Sequence, residues 1–245
     1  MEHADQKTPA IFVFEGTTPA HSIFNPNEWS NDSKAVIASC SAQFALLLFA
    51  STALATAHEG VAQICAQRVA ELQRQWRASR WDLQRLRYFV EVPSVHLSIQ
   101  AFLVTVKTLL DLMAQLLSTE RVVHTRLHGF HKKGRVVGGE VLYALAHKRN
   151  PLRGEAAARI REYLTEQKSV WIDEVVEARD CLAHPTRGAP QVMWELEVKA
   201  EDGSLACERI VPPHIGEQAF DRYAASVAGL CEVFATKILA DVRTA

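Results

Sequence analysis

From Ala35 to Ala57 the chain carries no charged side chain for 23 residues. A run of that length is either a membrane span or a helix at the centre of a soluble fold. Its interior holds Ser39, Ser41, Gln43, Ser51, Thr52 and Thr56, is rich in alanine, and has neither an aromatic belt nor a basic cluster at its ends. The expectation is therefore a core helix with no membrane contact, capped at its start by Ser33. Membrane anchorage through Ala35–Ala57 is the rival reading.

The remaining segments are organised around this helix. Residues 1–32 hold one short apolar run, Ala10 to Phe14, among Gly and Pro, which reads as an extended arm. Leu72, Trp76, Leu83, Leu86 and Phe89 recur at helical spacing with arginines between them, predicting an amphipathic helix that ends near Pro93. Ser94 to Ser118 is apolar almost all round, except for Lys107, Asp111 and Gln115 at i, i+4 and i+8. Those three share one face, and either pair locally or line a site or interface. A His-, Lys- and Gly-rich loop follows from His124 to Gly139, then a short helix to Asn150 and a long one from Glu155 to His184. After Pro185, Val192, Trp194, Leu196 and Val198 alternate with polar residues, and Glu201-Asp202-Gly203-Ser204 marks a hairpin turn. A final helix spans about Glu217 to Val242. The fold class expected is all-α: a bundle of about five to six helices in one domain, 33–245, with a β-hairpin inserted at about 190–212.

A net charge of −1 argues against binding nucleic acid through bulk charge. The balance is uneven along the chain, however. Arg121 to Arg161 has ten Lys or Arg against two Glu, a net of +8, while Glu166 to the end has fourteen acids against eight bases, a net of −6. Five scattered cysteines with no CxxC pair suit a reducing cytoplasm, and the first residues lack the basic start of a secretory signal.

No GxxxxGK[ST], GxGxxG, GxSxG or HExxH pattern is present, so the common phosphate-loop, dinucleotide, hydrolase-elbow and zincin chemistries have no support. His124, His128 and His131 have spacings that a metal site could use, but Lys132, Lys133 and Arg135 beside them oppose a dication. The expectation is a solvent-facing or polyanion-binding loop, with no metal and no cofactor. Arg179-Asp180-Cys181-Leu182-Ala183-His184 is the seat of chemistry that the residues themselves point to. The same Arg-x4-His spacing occurs at Arg126–His131, so spacing alone does not single it out. Asp180 after the arginine, and Pro185 after the histidine, set the later copy apart. Pro185 pushes His184 out of the α region, so the imidazole can turn back towards Arg179 from a helix end. A guanidinium that clamps a phosphate and an imidazole that moves a proton near neutral pH suit phosphodiester cleavage. A salt-bridged surface arginine beside a helix-end histidine is the simpler alternative.

The hexapeptide at 179–184, set late in a helical bundle, resembles the R-x4–6-H motif of the HEPN superfamily. The helix carrying Lys107-Thr108-Leu109-Leu110-Asp111-Leu112 is similar to one that often accompanies that motif. The resemblance spans about residues 35–184 and the last helix. It implies a metal-independent endoribonuclease leaving a 2′,3′-cyclic phosphate, built as a homodimer, and acting as a toxin or antiphage effector that an antitoxin or regulatory protein can hold in check. Arg179 and His184 would be catalytic, with Asp180 orienting them and Asp111 and Lys107 behind them. Lys132, Lys133, Arg135, Lys148, Arg149 and Arg153 would be the RNA contacts. A catalytically silent HEPN-like module for protein or RNA binding is the alternative. Thr186 stands where one branch of the family carries a modified tyrosine, so that regulation is not implied.

Overall fold

Arg85 to Val90 alternates strictly: Leu86, Tyr88 and Val90 turn inwards, and Arg85, Arg87 and Phe89 turn outwards. Period two is the signature of a strand. The helix expected to run to Pro93 is accordingly two elements, helix α3 (Val61–Ser79) and strand β1 (Arg85–Val90). The computed structural model describes residues 19–57, 60–79, 85–149, 154–183 and 191–244. The apolar run Ala10–Phe14 lies outside them.

The hairpin forms as expected, from β2 (Trp194–Glu201) and β3 (Ser204–Val211). Its turn places Asp202 and Gly203 at φ 48° and 76°, the left-handed pair that a two-residue hairpin requires. β1 adds to its other side, so the strands form one antiparallel sheet in the order β1-β2-β3 rather than a lone hairpin. Central β2 buries Trp194, Leu196 and Val198. The outer face is held by charge pairs, including Arg87 with Glu195 and Arg209 with Glu197 (3.6 Å). A two-residue pair, β4 (His214–Ile215) and β5 (Gln218–Ala219), leads into the last helix.

The rest is mostly helical. Helix α2 (Asn31–Ala57) starts two residues before Ser33, which is buried within its first turn. The carbonyl of Ser30 accepts the first helical N–H bonds instead. Its apolar stripe, Ile37, Phe44, Leu47 and Leu54, packs chiefly against α4 (Pro93–Thr119). Proline at the first position starts α4, and Arg121 in the left-handed region (φ 58°) stops it. Both α2 and α4 are long and apolar enough to cross a membrane. Here they pack face to face, and α2 turns Leu46 and Phe49 outwards at 51% and 73% exposure.

Residues 19–30, expected within an extended arm, form the short helix α1 (Pro19–Ile23) and a 3₁₀ turn at Pro26–Glu28. Phe24 is fully buried against Phe44, and Arg243 pairs with Glu28 at 2.6 Å. The chain continues through α5 (Gly139–Leu145) and α6 (Gly154–Gln167). The expected single helix from Glu155 to His184 is instead α6, a π-helical segment Lys168–Ile172, and α7 (Asp173–Ala183). Helix α8 (Phe220–Arg243) closes the bundle against α2, α4 and α6.

Candidate active site at the end of helix α7

Arg179 and Asp180 lie in the C-terminal half of α7. Neighbouring helical side chains point about 100° apart, so Arg179 must fold back to reach Asp180, and it does: its Nη1 donates to Oδ1 at 2.8 Å. The second carboxylate oxygen accepts from Lys132 Nζ at 2.6 Å. Asp180 therefore joins the candidate catalytic arginine to the basic loop 48 residues earlier in the chain. Partial burial alone would raise the Asp180 carboxyl. The hydrogen bonds from Lys132 and Arg179, with their two positive charges, outweigh it and hold the pKa below the ordinary aspartate value.

Arg179 is 40% exposed and borders an open groove of about 200 Å³ with Gln100, Leu103, Val104 and Leu182. Leu97, one heptad before Val104, extends the same face of α4 outwards. Leu97 and Val104 are 64% and 51% exposed. His184 lies outside the described residues, so its distance from Arg179 is not part of this geometry.

The polar stripe of α4 pairs locally, as its spacing allowed, and also bonds to the backbone of the basic loop. Lys107 and Asp111 pair with each other at 2.5 Å, and Asp111 Oδ1 also accepts the backbone N–H of Phe130 at 2.5 Å. One turn on, Gln115 Nε2 donates to the carbonyl of His128 at 2.9 Å, and Ser118 Oγ accepts from the N–H of Leu127 at 2.7 Å. The stripe thus pins the basic loop along α4, while Leu127, Phe130 and Val137 bury their side chains below it. Gly138, at φ 61°, packs so closely under the Phe130 ring that a Cβ would collide with it. Further along the loop Lys168, 8% exposed, donates to the carbonyl of Val137 at 2.6 Å and pairs with Asp173. Lys107 and Asp111 bond to each other and Asp111 to the loop backbone; no hydrogen bond or ion pair among the described residues joins either to Arg179.

The candidate RNA-binding residues divide. Lys132 reaches Asp180. Lys133 places its ammonium 3.0 Å from the centroid of the Tyr143 ring. Arg135 sits exposed at the tip of the tight turn closed by Lys133 and Val136, and Lys148 and Arg149 are exposed just after α5. Arg153 lies outside the described residues. The second Arg-x4-His pair, Arg126 and His131, is in the loop, both residues exposed. Among the described residues no group of three His, Cys, Asp or Glu is placed to hold a metal; His124 stacks on His147 with ring centroids 3.9 Å apart.

Sequence reasoning passed over Lys168, Tyr143 and the α4 side of the groove. Tyr143 and His147 stand at i and i+4 around the end of α5, a signal open to inspection. The inward turn of Lys168 depends on the π-helical register and has no local signature. No family model, no curated protein and no solved structure matches this chain.

Proposed function

We propose that this protein is a metal-independent endoribonuclease of the HEPN type, working as a homodimer in the cytoplasm. The observation that carries the reading is the Lys132–Asp180–Arg179 junction. It gathers the basic loop, the pinning helix α4 and the candidate catalytic arginine at one place on the surface. In the proposed reaction one His184 removes the proton from a ribose 2′-hydroxyl, whose oxygen attacks the adjacent phosphorus. The bond to the 5′-oxygen breaks, and a proton from the second protomer's His184 satisfies that leaving oxygen. Arg179 holds the phosphate and the negative charge that builds on it. The products are a 2′,3′-cyclic phosphate and a 5′-hydroxyl. The exposed Val104 beside Arg179, with exposed Leu97 two turns earlier on α4, supplies apolar surface that a second copy would cover. A toxin or antiphage role, with an antitoxin or regulatory protein as partner, follows from the resemblance alone.

The second reading is an RNA- or protein-binding module without turnover. The ion pair between Arg179 and Asp180 favours it, because a compensated guanidinium has less charge to offer a phosphate. Incubating the purified protein with RNA in excess chelator separates the two. Cleavage that disappears in both Arg179→Ala and His184→Ala supports the enzyme; equal residual cleavage in wild type and variants sinks it, and binding without cleavage establishes the module.

A further inference from the structure

We infer that the outer side of α5, with the turn at 132–136, is a base-stacking platform for single-stranded RNA leading into the α7 site, an inference that rests on the ribonuclease reading above. Tyr143 is 59% exposed, which leaves much of its ring accessible to a ligand. The ammonium of Lys133 lies 3.0 Å from its centroid. The rings continue along the surface: His147 meets Tyr143 edge-on at 6.2 Å and 67°, and His124 lies over His147 at 3.9 Å and 32°. Partial desolvation, then the charges of His124 and Arg149, lower the His147 pKa. Its Nδ1 accepts the backbone N–H of Arg149 at 3.1 Å, as a neutral ring does.

Three neighbouring rings, with Lys133 over one and Arg149 bonded to another, combine the two elements of sequence-tolerant strand binding, π faces for bases and cations for phosphates. A lone surface tyrosine beside a lysine is an ordinary cation–π pair; the adjoining histidine stack is what exceeds it. An acidic peptide would use the cations and leave the rings idle. Duplex RNA keeps its bases stacked inside and cannot use them either. A base on Tyr143 takes the ring face opposite Lys133, or releases that ammonium to its own phosphate.

The platform is coupled to the candidate active site by covalent neighbours. Lys132 bonds to Asp180 while the next residue, Lys133, sits on Tyr143. Two lysine side chains and one Cα step keep the ring within about 20 Å of the Asp180 carboxylate. A strand of a few nucleotides bridges that gap.

The test is fluorescence anisotropy with a labelled 2′-O-methyl oligouridylate, which lacks the attacking hydroxyl and cannot be cleaved. Tyr143→Ala should weaken binding about tenfold, the effect of losing about one stacked base, while Tyr143→Phe stays near wild type and a matched duplex shows no dependence on Tyr143. Unchanged affinity in Tyr143→Ala, preference for the duplex, or no binding by wild type overturns the inference. Thermal melting by circular dichroism checks that this exposed substitution leaves the fold intact. Tyr143-dependent binding with no cleavage of ordinary RNA leaves the platform standing and removes the ribonuclease reading. Cleavage by wild type alongside unchanged binding in Tyr143→Ala does the reverse.

Discussion

Asp180 shows how much one carboxylate can organise. Its two oxygens hold Arg179 and Lys132, and their bonds and charges depress its pKa against the pull of partial burial. A carboxyl with a folded-state pKa below its unfolded one stabilises the protein above the unfolded value, and loses that stabilisation as pH falls through the folded value. Asp180 therefore contributes fully at neutral pH, and its contribution fades only below about pH 4. Melting temperatures of wild type and Asp180→Asn should differ at pH 7 and converge as the pH is taken below 4; a constant gap would contradict the pairing. Over pH 5 to 9 Asp180 stays ionised, so a bell in any cleavage profile would not arise from Asp180. Arg179 and Asp180 were legible in the sequence as adjacent residues near a helix end. Their link to Lys132 was not, because a contact across 48 residues leaves no local pattern.

Helix α4 holds the basic loop at Leu127, His128 and Phe130, and the π segment holds it at Val137. The i, i+4, i+8 polar stripe was readable as a feature, though not as an anchor, since its acceptors and donors are backbone groups of a loop whose path no periodicity encodes. Lys168 is the counterpart clamp. Replacing it with Met preserves volume but strands the carbonyl of Val137, while the more exposed Asp173 can regain water. We expect a loss of about 1–2 kcal/mol and a melting temperature lower by about 2–8 °C; a melt indistinguishable from wild type would show that the clamp carries no weight. Strand β1 was misread because Leu83, Leu86 and Phe89 keep a spacing of three. The strict alternation from Arg85 to Val90 was the stronger signal, as β2 offered an open edge to pair with. The hairpin turn was legible because Asp-Gly favours the left-handed conformations found there.

At the scale of the molecule, long apolar helices could be recognised as the frame of the fold from charge depletion alone. Which of their faces stay uncovered could not, since that depends on how the helices pack. The uncovered face beside Arg179 gives the proposed dimer a specific expectation. Val104→Glu, on an exposed position, should leave the melt intact, shift the protein from dimer to monomer in sedimentation, and abolish cleavage; a dimer that persists places the interface elsewhere. The most direct measurement is chemical identification of the RNA ends produced by wild-type protein in excess chelator. Fragments with a 2′,3′-cyclic phosphate and a 5′-hydroxyl, absent with Arg179→Ala, are the predicted result. No cleavage, 5′-phosphate ends, or undiminished cleavage by Arg179→Ala would contradict it.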